Sequence, residues 1–169
     1  MSTRFLGSVL ISMLLGVWPA AGIQYNVSDS TGTLSIEGFI ETNGTTGQLS
    51  TSDIVDWSLT IKGFGAPLTL DKKISDLYIH GAPLSATTKS LVFDYGSGGG
   101  STLGWLIVST DDVPPAPRQA IISWKKSHPS LPAMVAGPGF DIGFPNADSY
   151  FDIYQLVGRT GTAIIGVAP

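Results

Sequence analysis

The fold is decided by the stretch from Thr33 to Ile61, which has the sequence TLSIEGFIETNGTTGQLSTSDIVDWSLTI. Apolar and polar residues alternate from Thr33 to Thr42, and the alternation resumes at Trp57. A two-residue period is typical of a strand with one buried face. The cluster Asn43–Gly47 between the two runs combines residues that favour turns. We therefore predict a strand, a tight turn and a second strand led by Trp57.

Between the turn and the second strand, residues Ser52–Asp56 predict one helical turn that Asp53 caps. A single turn is too short to persist alone and must lean on tertiary contacts. We therefore expect the apolar residues of this block to pack into one cluster, with Asp53 near the start of the turn. They are Leu49, Ile54, Trp57 and Leu59.

The same alternation recurs downstream, and no stretch after residue 22 has sustained helical periodicity. It predicts strands at Leu68–Leu70, Leu77–His80, Leu91–Tyr95, Leu103–Thr110, Ala120–Lys125, Tyr150–Leu156 and Thr162–Val167. Leu103–Thr110 is nearly all apolar, which favours a strand buried on both faces. We predict a long loop at Ser127–Asn146 and a final hairpin from the last two strands. About eight or nine strands indicate an all-β fold, a single antiparallel sandwich (jelly-roll-like) or a flattened barrel.

The first residues are built like a cleavable signal peptide. Arg4 is followed by the apolar run Phe5–Trp18, and Ala20-Ala21-Gly22 offers small residues before a cut at Ile23. A membrane anchor is the alternative, which the length disfavours because a spanning helix needs about 20 apolar residues. We predict a signal peptide at 1–22, one domain at 23–169 without a membrane span, and a secreted or cell-surface location.

The composition restricts the partners. The chain has 169 residues, 9 Lys and Arg against 13 Asp and Glu, and a net charge of −4. Nucleic-acid binding needs a clustered basic face, so we predict none. The absence of cysteine removes disulfide scaffolds and thiol catalysis, and it favours a bacterial rather than a eukaryotic secreted domain.

The block from Gly38 to Thr60 resembles a segment of exported bacterial proteins of the PEP-CTERM type. The shared pattern is G-x-I-x-T-D/N-G-T-x-G-x-L followed by D-I-x-D-W-x-L, with a weaker likeness at Leu91–Tyr95. The resemblance implies an association with bacteria that produce exopolysaccharide, and it assigns no catalytic or binding residue. Those proteins carry a Pro-Glu-Pro sorting signal, whereas this sequence ends at Pro169 without one. Release of the protein and truncation of the chain are both open.

No catalytic constellation is visible in the sequence. There is no G-x-S-x-G motif, and the two histidines, His80 and His128, are best explained as surface residues. There is no H-E-x-x-H motif, so zinc is not expected. Calcium takes carboxylate oxygens from loops, and its candidate pairs are Asp53/Asp56, Asp111/Asp112 and Asp141/Asp148. Asp53 is better explained as a cap and Asp111-Asp112 as a strand end, and none of the pairs forms the dense alternating loop of calcium motifs, so bound calcium is left open but is not predicted. We predict no catalytic residue, no metal and no cofactor.

The aromatic residues are the last candidate site. Trp57 and Trp105 fall in apolar strand registers and are predicted to be core residues. Trp124, with Tyr150 and Tyr154, either closes one end of the core, which we favour, or forms an exposed platform for sugar rings. The sequence therefore predicts an exported, non-enzymatic β-sandwich whose ligand is open. The alternatives are a carbohydrate-binding module that takes polysaccharide on these aromatics, and a small secreted hydrolase.

Overall fold

The computed structural model describes residues 21–63, 65–96, 104–110, 120–126, 139–146 and 149–169. From 139 to 157 it describes the side chains of Phe140 and Ile142 only. The predicted signal peptide falls almost entirely on residues 1–20, outside the described part. No helix in the described ranges is long and apolar enough to cross a membrane.

The described residues form thirteen strands and one 3-10 turn. The strands are β1 (Ile23–Thr31), β2 (Leu34–Thr42), β3 (Gly47–Gln48), β4 (Ile54–Lys62), β5 (Leu68–Asp71), β6 (Asp76–His80), β7 (Leu84–Ala86), β8 (Ser90–Asp94), β9 (Gly104–Thr110), β10 (Ala120–Lys126), β11 (Gly139–Asn146), β12 (Ser149–Gly158) and β13 (Thr162–Val167). The 3-10 turn, η1, spans Thr51–Asp53.

The strands build two antiparallel sheets. The large sheet has the order β3-β7-β8-β13-β1-β2-β4-β5, and the small sheet has the order β12-β11-β10-β9-β6. The sheets are not closed into a barrel, which confirms the predicted antiparallel β-sandwich. The strands outnumber the prediction for three reasons: β3 and β7 are very short, β11 lies in a segment rich in proline and glycine, and the alternation of Ile23, Tyr25 and Val27 in β1 was missed.

One apolar cluster fills the space between the sheets. The four residues predicted to pack together from the Gly38–Thr60 block, Leu49, Ile54, Trp57 and Leu59, all belong to it. The Trp57 indole nitrogen donates a hydrogen bond to Ser75 Oγ at 2.9 Å, so its polar atom is satisfied inside the core.

Glycine lets β2 pass close to β4 at the centre of the block. Gly38 has φ of 152°, and a Cβ there would lie 1.9 Å from the Ser58 carbonyl oxygen. Any side chain would therefore push the two strands apart. Gly38 pairs with Val27 on one side and Leu59 on the other, so this contact holds three strands in register.

The predicted helical turn is shorter than expected. It ends at Asp53, and β4 begins at Ile54 with Ile54 already paired to Thr42. The β-branched residues Ile54 and Val55 favour the extended strand over a continued helix. The prediction of a helical turn over Ser52–Asp56 is therefore wrong, because residues 54–56 belong to β4.

Burial and strand pairing correct three further predictions, which concern β9, Trp105 and the loop at Ser127–Asn146. β9 is buried on one face only, because Leu106 and Val108 are buried while Trp105 and Ile107 remain partly exposed. Trp105 is thus not a core residue. Part of the predicted loop Ser127–Asn146 is strand β11, which inserts between β10 and β12.

The predicted final hairpin does not form. β12 pairs with β11 in the small sheet, whereas β13 pairs with β8 and β1 in the large sheet. The turn between β12 and β13 is instead a crossover between sheets. Gly161 fixes it by exchanging backbone hydrogen bonds with Tyr95 and Gly96, each at 2.8 Å.

An ion pair ties this crossover to the middle of the large sheet. The Arg159 guanidinium pairs with the Asp29 carboxylate through both oxygens, with the Nη1–Oδ2 distance at 2.9 Å. The Asp29 side chain is only 6% exposed. Trp124 of the small sheet donates its indole N–H to the same carboxylate at 3.3 Å. Three elements from two sheets therefore converge on one buried charge.

Aromatic rings surround the guanidinium. Its carbon lies 5.9 Å from the centre of the Tyr95 ring and 5.7 Å from that of Phe140, within cation–π range. Burial opposes the charged form of Arg159, but the hydrogen bonds to Asp29, the charge of Asp29 and the interaction with Tyr95 together outweigh it and raise the pKa of Arg159. Burial also raises the pKa of Tyr95 to about 12, so this phenol stays protonated throughout the physiological range.

We expect Arg159→Ala to lower the free energy of unfolding by about 3–5 kcal/mol, because it leaves the Asp29 carboxylate buried without its cation. The double variant Asp29→Leu/Arg159→Met replaces the pair by apolar groups and should regain most of the loss. Urea denaturation measures both. Lys62→Ala removes the exposed Lys62–Glu37 pair and should cost less than about 1 kcal/mol. An Arg159→Ala loss no larger than that of Lys62→Ala would contradict the role of the buried pair.

Candidate functional site

The outer face of the small sheet presents aromatic side chains at its β6–β9 edge. Tyr78 lies opposite Ile107 and His80 lies opposite Trp105 in the antiparallel register. Because alternate residues of a strand point to opposite faces, the burial of Leu77 and Leu106 places these side chains outward. We call Tyr78, His80 and Trp105 the aromatic patch.

The rings of the patch are ordered and accessible. The His80 and Trp105 rings stack, with centroids 4.3 Å apart and planes 16° from parallel. Trp105 is half-buried, His80 is exposed, and Tyr78 is 54% exposed. An exposed aromatic ring offers a large amphipathic contact area with little rotamer entropy to lose. The patch can therefore stack against a flat, partly apolar ligand.

A polar cleft of about 500 Å³ continues the patch beyond Tyr78. Its lining residues are Lys72, Lys73, Ile74, Ser75, Asp76, Ser109 and Thr110. Asp76 pairs with Ser109 on the same outer face as Tyr78, two residues along β6, which is about 7 Å. Asp76 and Ser109 of the cleft lining therefore lie beside the aromatic patch, so hydrogen-bonding groups are present next to the ring faces.

The open face does not extend evenly across the sheet. Ser123 of β10 lies in the outward register, opposite Ile107, yet it is fully buried. Among the described side chains of this face, the most exposed residues therefore lie at the β6–β9 edge.

The η1 turn holds this edge strand in place. The Ile79 backbone N–H donates to Thr51 Oγ1 at 2.9 Å, and the Thr51 hydroxyl lies 3.4 Å from the Ile79 carbonyl oxygen. These groups of β6 would otherwise be an unpaired sheet edge, which invites association with another strand. Thr51 thus caps the edge between Tyr78 and His80.

The Asp53 carboxylate organises the turn that carries Thr51. It accepts hydrogen bonds from the Ser50 backbone N–H at 2.8 Å and the Ser50 hydroxyl at 2.7 Å, and the Asn43 amide donates to it at 3.1 Å. The bonds from Ser50 are the main reason that the pKa of Asp53 is lowered from 3.8. The predicted capping role of Asp53 is confirmed, although Asp53 lies at the end of the turn rather than its start.

The sequence-predicted platform residues lie elsewhere. Trp124 is fully buried and packs on Phe140, with ring centroids 5.2 Å apart. A residue without exposed surface cannot stack on a ligand, so the favoured interpretation of Trp124 as a core residue is confirmed and its alternative role as a binding residue is wrong. The side chains of Tyr150 and Tyr154 lie outside those that the structure describes.

The remaining candidates are distributed as follows. His80 is the exposed strand-end histidine that the sequence predicts, whereas His128 lies outside the described residues. Among the side chains that the structure describes, no three His, Asp or Glu residues could hold a metal ion. Asp56 accepts the backbone N–H of Trp57 at 2.9 Å. Asp111, Asp112, Asp141 and Asp148 have no described side chains.

A signal for the patch was present in the sequence. The alternation that directs Leu77 inward also directs Tyr78 and His80 outward. The missing information was the pairing of β6 with β9, which brings Trp105 beside His80 across 25 positions of sequence.

The comparisons with known proteins assign no relative. No protein-family model, no curated protein and no solved structure matches this chain. Similarity therefore gives the aromatic patch no activity or ligand.

We expect Asp53→Asn to reduce the loss of stability that the protein shows when the pH is lowered from 7 to 3. Because its folded pKa is lowered, the Asp53 carboxylate stabilises the fold fully above the unfolded value of 3.8 and loses this effect as pH falls through the folded value. Loss of this capping carboxylate should cost about 1 kcal/mol at neutral pH. Thermal melts at pH 7 and pH 3 should show a smaller difference in Tm for the variant than for wild type. Asp76→Asn is the matched control for charge, and an Asp53→Asn variant with the same acid-induced loss as wild type would contradict this role.

Proposed function

We propose that this protein is an exported, non-enzymatic β-sandwich that binds polysaccharide on its aromatic patch, at the cell surface or in the extracellular matrix. The observation that carries the proposal is the convergence of Tyr78, His80 and Trp105 on one accessible sheet edge. The platform predicted around Trp124 is replaced by this one, while the ligand class from the sequence is kept.

The chemistry of a sugar chain suits this surface. The C–H faces of a sugar ring pack on aromatic faces, and its hydroxyls need donors and acceptors at the rim. The Tyr78 and His80 rings supply the first, and Asp76 with Ser109 supplies the second within about 7 Å. The patch lies on an open sheet face rather than in a closed pocket, which favours an extended chain over a small molecule.

Export is supported by the N-terminal pattern. The run Phe5–Trp18 and the small residues before Ile23 are those of a cleavable signal peptide. Strand β1 begins at Ile23, so the proposed cut would leave the first strand intact. The resemblance of Gly38–Thr60 to exported bacterial proteins of the PEP-CTERM type supports the same location.

Secretion is tested by expressing the full chain with its native N-terminus and sequencing the product recovered outside the cytoplasm. We expect a mature chain that begins at or within a few residues of Ile23. A product that retains Met1, or that stays in the cytoplasm, would overturn the proposed export.

Binding is tested with a polysaccharide pull-down and a glycan array. Wild type is expected to bind at least one polysaccharide, and Tyr78→Ala and His80→Ala should each weaken that binding roughly two- to tenfold, as expected for the loss of one ring contact. Tyr78→Phe keeps the ring and should bind like wild type. Ile164→Ala, an exposed apolar residue of the large sheet, is the remote control.

Two results would overturn the proposed binding site. One is wild-type protein that binds no polysaccharide. The other is binding that Tyr78→Ala and His80→Ala leave unchanged, because the surface would then lie elsewhere.

A further inference from the structure

We propose that the polysaccharide is acidic, and that a carboxylate or sulfate group on it binds Lys72 and Lys73 in the cleft beside Tyr78. This inference rests on the proposed function and specifies its ligand. The chain as a whole is acidic, with a net charge of −4, yet two adjacent lysines line the cleft that continues the patch.

The two lysines are presented differently. The Lys72 ammonium donates to the Val55 carbonyl oxygen at 2.7 Å, which fixes its position and leaves two further N–H donors. The Lys73 backbone N–H donates to Asp71 Oδ1 at 2.9 Å, so the turn is anchored and the Lys73 side chain extends from a fixed base. Both residues are exposed. An anionic ligand can therefore bind the Lys72 ammonium, which a hydrogen bond holds in position, and the Lys73 ammonium at the end of an exposed side chain.

The counter-charge in the cleft is smaller. Asp76 is the one acid among the described residues that line the cleft, against two lysines, and the Asp71 carboxylate of the same turn is engaged by the Lys73 backbone N–H. Asp76 lies on the Tyr78 side, in register with Ser109, where it can accept a hydrogen bond from a sugar hydroxyl. The separation of Asp76 from Tyr78, about 7 Å along the strand, allows a ring to stack on Tyr78 while an acid group reaches the lysines.

The shape of the cleft agrees with a substituent on a chain. The cleft, at about 500 Å³, opens from the end of a flat aromatic surface, and exposed Ile74 offers an apolar contact within it. A neutral glycan would use the patch and leave the ammonium groups solvated. An acidic glycan would use both parts of the surface, which is the source of the predicted preference.

The inference is tested by measuring the affinity of the full protein for alginate, which carries carboxylates, for dextran sulfate, and for neutral dextran. We expect wild type to prefer at least one of the two acidic polymers to neutral dextran, and added salt to reduce the preference because the lysines are exposed. Lys72→Gln/Lys73→Gln should weaken acidic-polymer binding roughly fivefold and leave neutral-polymer binding unchanged. Asp76→Asn should act in the opposite direction and strengthen acidic-polymer binding.

The matched control is Lys62→Gln/Lys89→Gln, which makes the same change in net charge outside the cleft, at the end of β4 and in the β7–β8 turn. An equal loss in this control would show unspecific attraction and overturn the inference. Equal wild-type affinity for acidic and neutral polymers would overturn it as well, while a loss of binding in Tyr78→Ala would leave the proposed function standing. Absence of binding to both acidic polymers would overturn the inference, whereas the proposed function would be overturned only if wild type also bound no polysaccharide in the pull-down and on the glycan array.

Discussion

The buried pair between Asp29 and Arg159 is the interaction on which the sandwich depends at one end. Asp29 lies in β1, at the middle of the large sheet, and Arg159 lies at the crossover that follows the small sheet. Trp124 adds a third bond from the small sheet to the same carboxylate. A charge buried in this way is strongly unfavourable without its partner, so an arrangement of the two sheets that separates Asp29 from Arg159 is disfavoured. The apolar core supplies most of the stabilisation, and this polar contact selects one relative placement.

That placement separates the two faces of the small sheet. Described residues of its inner face, such as Leu106, Val108 and Trp124, belong to the core. Its outer edge is free to carry the aromatic patch without a loss of packing. The η1 turn then fixes β6 through Thr51, so the block from Gly38 to Thr60 has a structural role next to the candidate site. The core, the η1 turn and the aromatic patch therefore lie next to one another in the fold.

The sequence predicted the faces of strands better than their partners. In β2 and β4 the alternation is clean, so the inward residues, including Trp57 and Leu59, followed directly from the two-residue period. In Leu103–Thr110 nearly every residue is apolar, and the period alone could not decide whether Trp105 points inward. The burial of Trp124 and the exposure of Trp105 depend on the pairing of β9 with β10 and with β6, which joins segments that are distant in the sequence. The candidate site arises from such a pairing, which is why Tyr78 and His80 were visible as outward residues but the patch was not.

The position of β13 has a consequence for how the protein acquires its fold. β13 inserts between β8 and β1, and Val167 pairs with Asn26 near the other end of the sequence. The large sheet therefore has a gap at its centre until the last strand in chain order has been made, however early the other strands are available. Contacts of such long sequence separation form slowly. A nascent chain can therefore complete the large sheet only after β13 has been synthesised.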